Sequence, residues 1–259
     1  MLTTTTVTHK RGWAATFASL RVRNFRLFFI GQVVSFAGNW MQIVALAILV
    51  HDLSGSGTEL GLVYMVQFAP VLAFGAYGGV LADRFDRRHL SMLTQLLLAV
   101  FATVIGVLTL TGDIRMWMIF VIAPLIGAVS SIDNPVRQAI VFDLVGPEHV
   151  VNAVSLNTVI MNVARLTGPM IAAILIVTAG IGWSFIGNAL TFVVMFVILF
   201  FMHLWDQPGP NRLTLAIAVL FVLLLITLTL TDAATRFPLA MPPGSHRALH
   251  LGHNPFGNP

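Results

Sequence analysis

Arg165 and Asp133 stand inside long apolar runs, and they set the chemistry this chain could perform. Arg165 lies within the run from 151 to 179, and Asp133 about two thirds of the way along the run from 116 to 143. A charge at mid-bilayer costs about 2.5 to 3.5 kcal/mol on insertion scales, so each must face protein or water and have partners. An arginine in such a place can meet an anion or substrate. It can equally serve structure, hydrogen-bonding a backbone carbonyl that Pro169 leaves without its helical donor. A carboxylate held there can gain and lose a proton in a protected site, which makes Asp133 a candidate coupling or substrate-contact group.

Amides extend this polar chemistry. Gln32, Ser35, Asn39 and Gln42 follow one another at spacings of three and four, which places them in one stripe on a helix. Asn162 precedes Arg165 by three, and Gly168 and Pro169 follow a turn later. Amides in hydrocarbon are costly unless partnered, so these either line a wet pathway or join helices to one another. The expected pathway residues are Gln32, Asn39, Gln42, Asp133 and Asn162, with Arg165 beside them.

Other chemistries find no support. There is no H-E-x-x-H pair and no cysteine, and Ser130 and Ser131 have no histidine in nearby spans to activate them, so an enzyme is not expected. Zero cysteines exclude disulfides and thiolate metal sites. His246, His250 and His253 have ligand-like spacing, but Pro242, Pro243, Gly244, Gly252 and Pro255 argue against the helix that would align them. No metal and no cofactor is expected.

The elements that must position these residues are membrane spans. The chain is 57% hydrophobic and 9% charged, against roughly 25% charged in soluble domains. Its apolar residues gather into runs of the length, about 20, that crosses a bilayer. The net charge of +4 therefore does not suggest nucleic acid. Six spans are expected at about 25–50, 59–82, 90–111, 116–143, 151–179 and 183–203. The fourth, roughly 40 Å long, should project beyond the hydrocarbon core. The sixth has Asn188 as its only strongly polar interior residue and should contribute mostly lipid-facing and packing surface. Residues 1–24 read as a cytoplasmic lead-in ending in a short interfacial helix over 19–26, residues 204–212 as a loop, 213–231 as a possible seventh span, and 232–259 as a disordered tail.

Charge orients the spans. Lys10, Arg11, Arg21, Arg23 and Arg26 precede the first, while the loops 51–58, 112–115 and 180–182 hold Arg115 alone, so the N-terminus should be cytoplasmic. Between the second and third spans lies Gly79-Val80-Leu81-Ala82-Asp83-Arg84-Phe85-Asp86-Arg87-Arg88. Gly75 and Gly79 should bare one helix face to a close neighbour. Asp143, at the same end of the fourth span, should pair with Arg87 or Arg88.

The pattern G-x-L-A-D-R-x-D-R-R resembles the loop signature between helices two and three of the major facilitator superfamily. Gly31-Gln32-Val33-Val34-Ser35, Gly38-Asn39-Trp40-Met41-Gln42, Asn134-Pro135-Val136-Arg137-Gln138-Ala139 and Asn162-Val163-Ala164-Arg165-Leu166-Thr167-Gly168-Pro169 add to it. From about Ser19 to His203 the chain resembles the N-terminal half of an exporter of the enterobactin-exporter and macrolide-efflux-like branch. The resemblance implies an all-α integral membrane fold, a six-helix transporter half, and proton-driven export by alternating access in a bacterial plasma membrane. It implies a gating role for Gly79, Asp83, Arg84, Arg87 and Arg88 with Asp143, and a closure role for Arg165, Gly168 and Pro169. The expected partners are lipid, a small amphipathic molecule or siderophore, and protons.

Three departures stand out. Asp86 replaces the glycine usual in the loop motif, Ala123 stands where many drug–proton antiporters have an arginine, and Ala172-Ala173 replace a glycine pair. Full members have twelve spans in two halves. The chain is therefore expected to be truncated or frameshifted after about residue 203, and to work as a homodimer or with a second half. The alternative is an inert fragment or a non-transporting packing partner.

Overall fold

The computed structural model describes residues 18–145 and 150–206. A short 3-10 turn, Ala18–Arg21, leads into α1 (Arg23–Ser54), α2 (Gly57–Arg84), α3 (Arg87–Thr111), α4 (Met116–Val145), α5 (Val150–Thr178) and α6 (Ile181–Asp206). All six contain a stretch long and apolar enough to cross a membrane, and the fold is an all-α integral membrane bundle. The expected interfacial helix over 19–26 is divided: the turn takes its start, and α1 has begun by Arg23. The possible seventh span, the tail and its histidines lie outside the described residues.

Local chemistry explains the turns. Gly55 and Gly112 adopt φ of 65° and 77° after α1 and α3, a left-handed backbone that other residues adopt at a cost. At the opposite end of the bundle, α2 passes to α3 through Phe85 and Asp86 alone. Asp86 caps α3 by accepting the His89 backbone N–H at 2.9 Å. This tight connection holds the arginine-rich segment against the end of α4.

Packing is uneven around the bundle. α2 lies along α4, α3 lies along α6, and α1 is held between α5 and α6. The α2–α4 contact is made by glycines: Gly127 sits on the Gln67 carbonyl and Gly78 on the Ser131 carbonyl, leaving no room for a Cβ at either. Pro135 withdraws the helical donor from that same Ser131 carbonyl, so Gly78 approaches an oxygen freed of its usual bond. Gly75 and Gly79, expected to supply the close approach, face open space. One residue of register on α2 decides the difference.

The sixth helix also departs from expectation. Ser184, Phe185, Asn188, Ala189, Phe192, Met195 and Leu199 are all buried, and 61% of its apolar window is covered, the highest share among the six. It lies between α1 and α3 rather than mainly against lipid. A helix apolar all round carries no sign of which face packs.

Candidate transport site

At the arginine-rich end, Arg87 ties three helices together. Its Nη1 donates to Asp143 Oδ1 on α4 at 2.8 Å, Nη2 to Asp83 Oδ1 on α2 at 3.2 Å, and Nε to the Ala82 carbonyl at 3.1 Å. Of the two arginines offered to Asp143, Arg87 takes it. Its hydrogen bond to Asp143 holds the guanidinium pKa higher still, against some desolvation, with Asp83 adding to the effect. Asp83 and Asp143 side chains are 75% and 54% exposed, so each pairing is worth at most about 1 kcal/mol. A contact that weak can be broken and remade. Beside it, burial pushes the Asp86 carboxyl up, but the His89 and Arg88 backbone N–H groups and the His89 side chain outweigh that and hold it below the usual carboxylate range. Arg84 is exposed.

Deeper in the bundle is a second ionic cluster of opposite character. Asp133 Oδ2 accepts from Arg137 Nε at 2.7 Å, and its Oδ1 accepts from Thr94 Oγ1 at 2.6 Å and Gln95 Nε2 at 2.8 Å. Arg137 Nη2 donates to Ser35 Oγ at 3.0 Å, and its guanidinium lies 5.5 Å from the Phe36 ring centroid. Asp133 and Arg137 are almost wholly buried. The cluster joins α1, α3 and α4, and each carboxylate oxygen has a donor, as a buried charge requires.

Between α1, α2 and α4 lies a cavity of about 200 Å³, open on one side. Asn39 and Gln42 line it from α1, Gln67 from α2, and Ser130 and Asn134, one helical turn apart, from α4. Gln42 accepts a hydrogen bond from the buried Asn188 of α6, which fixes the amide in place. The Gln67 Oε1 is buried and accepts no hydrogen bond from the described residues. Apolar side chains, among them Phe68, Leu98 and Phe192, supply the rest of the wall. An amphipathic guest suits such a lining.

The pathway residues expected from sequence therefore divide. Asn39 and Gln42 line the cavity. Asp133 does not: its neighbour Asn134 faces the cavity while Asp133 turns to α3 and Arg137. Gln32 is buried outside the lining, and Asn162 is exposed on α5, donating to the Thr158 carbonyl of its own helix. Arg165 is also exposed, with its guanidinium 4.9 Å from the Trp40 ring centroid. Gly168 lets α5 close on α1, since a Cβ there would meet the Trp40 Cβ and the Ala37 carbonyl.

Sequence reasoning missed Arg137, Thr94, Gln95, Gln67 and Asn188 as members of polar clusters. Opposite charges at i and i+4 in an apolar run mark Asp133 and Arg137 as a pair. The others give no such signal.

The family model for transmembrane secretion effectors within the major facilitator group matches residues 14–232 of the chain. The chain belongs to this major facilitator superfamily branch. Its relatives include an uncharacterised transporter of the superfamily from Bacillus subtilis, 31% identical over 66% of this chain and 40% of that protein. The staphyloferrin A transporter of Staphylococcus aureus is 27% identical over 69% of this chain and 45% of its own length. An enterobactin exporter of Escherichia coli is 22% identical over 79% of this chain and 50% of its own length. The chain thus spans about half the length, or less, of the curated relatives it matches. These relatives are transporters rather than enzymes, and the described bundle corresponds to the six-helix N-terminal half of a major facilitator fold.

Proposed function

We propose that this chain forms the N-terminal half of a secondary exporter that moves small amphipathic molecules, siderophores included, by alternating access. The reading rests above all on the cavity between α1, α2 and α4, polar on Asn39, Gln42, Gln67, Ser130 and Asn134 and apolar elsewhere. The N-terminus and the Arg87 loop face the cytoplasm of a bacterial cell, as the positive charge at that end favours. Gly79, Asp83, Arg84, Arg87, Arg88 and Asp143 act as a lock, made and broken as the transporter changes state. The partial exposure of Arg87, Asp83 and Asp143 supports this, because a solvated contact costs little to open. Arg165, Gly168 and Pro169 form the corresponding device on α5.

Protons are the proposed coupling ion, with Asp133 the carboxylate that takes them. Protonating Asp133 removes the charge that holds Arg137, and Arg137 is in turn bonded to Ser35 of α1. A change of charge at one buried oxygen is thereby felt on three helices. The relatives named for siderophore transport support the substrate class. Substrate would pass between this half and a second half, supplied by another copy or another chain.

The test is efflux from energised membrane vesicles carrying the full chain, with a fluorescent amphipathic dye and an imposed pH gradient. Expected is gradient-dependent transport that Asp133→Asn abolishes and Asp143→Asn weakens. Unchanged proton-driven efflux in Asp133→Asn would overturn the coupling role. Lack of any flux in vesicles where the chain crosslinks to itself would overturn the reading in which a second copy completes the exporter.

A further inference from the structure

The outer face of α5 carries a second polar surface, separate from the cavity. α5 buries Ala153, Leu156, Ile160, Ala164, Gly168 and Ala172. Ser155, Thr158, Asn162 and Arg165 follow at spacings of three, four and three, and all four are exposed. Ser155, Thr158 and Asn162 return hydrogen bonds to carbonyls of their own helix, to Val151, Val154 and Thr158. Arg165, midway along the 29-residue helix, has no carboxylate partner among the described residues. The carboxylate at comparable depth on α4, Asp133, is buried and taken by Arg137.

A guanidinium at mid-span cannot face hydrocarbon, so this stripe borders water, a polar guest or polar groups of the second half. Its geometry is prepared for an anion. Trp40 supports the guanidinium plane from one side at 4.9 Å, which limits its motion while leaving its N–H edges to donate. A carboxylate fits that fork through two parallel hydrogen bonds. Asn162 stands one turn before it with an amide of its own.

We propose that Arg165, stacked on Trp40 and preceded along the stripe by Asn162, is a binding site for the carboxylate of a small anionic substrate. This deepens the exporter reading and rests on α5 being a wall of the pathway. The stripe contains no acidic residue, so it selects against cationic amphiphiles. The apolar surface beside Arg165, including Leu166 and Met170, takes the less polar part of the molecule.

The chain has no cysteine, so a single thiol can be placed without background. Asn162→Cys in the full chain, in lipid nanodiscs, would be labelled with an anionic sulfonate methanethiosulfonate and a cationic trimethylammonium one. Rates would be normalised to those with a free thiol. Expected is labelling by both, with the anionic reagent favoured about tenfold, and a ratio near one when Arg165→Gln is added. Arg165→Lys, which keeps the charge, should retain most of the preference. Benzoate should protect the thiol, whereas benzamide, a neutral molecule of similar shape, should not.

The outcomes separate the two claims. If neither reagent reaches the introduced thiol, α5 does not border a wet pathway and both the pathway reading and the site fall. If both react with no charge preference, or benzamide protects as well as benzoate, the wall stands and the carboxylate site is refuted. A preference that survives Arg165→Gln in a chain of native helix content also refutes it.

Discussion

Arg137→Met should destabilise this bundle far more than loss of the Arg87 contact, although the two ion pairs are nearly equal in length. The Arg137–Asp133 and Arg87–Asp143 distances are 2.7 and 2.8 Å. Their side chains are 3% and 6% exposed in the first pair, 32% and 54% in the second. Removing one member of a buried pair leaves an uncompensated charge and typically costs about 3 to 5 kcal/mol. Thr94 and Gln95 still donate to Asp133 in Arg137→Met, so a loss near the lower bound, about 3 kcal/mol, is expected. For a domain of this size that corresponds to a fall of about 6 to 12 °C in Tm.

The exposed pair should contribute less than about 1 kcal/mol. Thermal melts followed by far-ultraviolet circular dichroism in one detergent would compare Arg137→Met, Asp133→Leu and the double variant with Arg87→Met, Asp143→Leu and theirs. In the buried cycle the double variant should recover much of the single losses, because two apolar side chains of similar volume replace the pair. A coupling energy in the buried cycle no larger than in the exposed one would refute the reasoning, since burial would then not govern the strength of these contacts.

Other outcomes follow from the same structure. Gly78→Val should lower Tm by several degrees or prevent folding, because its Cβ meets the Ser131 carbonyl, whereas Gly79→Val should melt with the wild type. Yield and melting temperature of the two variants would show it. Gln42→Leu should cost about 1 to 3 kcal/mol by leaving the buried Asn188 amide without its acceptor, and Gln42→Leu with Asn188→Leu should regain part of that. The Asp86 carboxyl, held below its usual range by the His89 backbone N–H and side chain against a contrary effect of burial, contributes stability above the unfolded value of about 3.9. That contribution is lost as pH falls through the lower native value, so Asp86→Asn should flatten the acid limb of a stability profile. Identical acid limbs in the two proteins would count against the cap. Trp40→Leu, added to Asn162→Cys, should lower the anionic-reagent preference of the introduced thiol, since the guanidinium loses the plane that holds it.

Six spans, their order and the arginine-rich turn were legible in the sequence, because each is set by composition over about 20 consecutive residues or by a short local pattern. Asn39 and Gln42 were legible as members of one helical stripe, and Asp143 as a neighbour of the Arg87 loop, for the same reason: spacing along one helix, or a shared end of two, needs no knowledge of packing. Only the tertiary structure decided that Gly78 rather than Gly79 meets α4, that α6 is the most covered helix, and that Asp133 turns to Arg137, Thr94 and Gln95 while Asn134 faces the cavity. Adjacent residues on a helix lie about 100° apart. Which of them meets a neighbour depends on how two helices are rotated against each other, and that rotation is set by the summed contacts of side chains distant in sequence. In a span apolar on every side, composition fixes that the helix is in the membrane and leaves its rotation to the bundle.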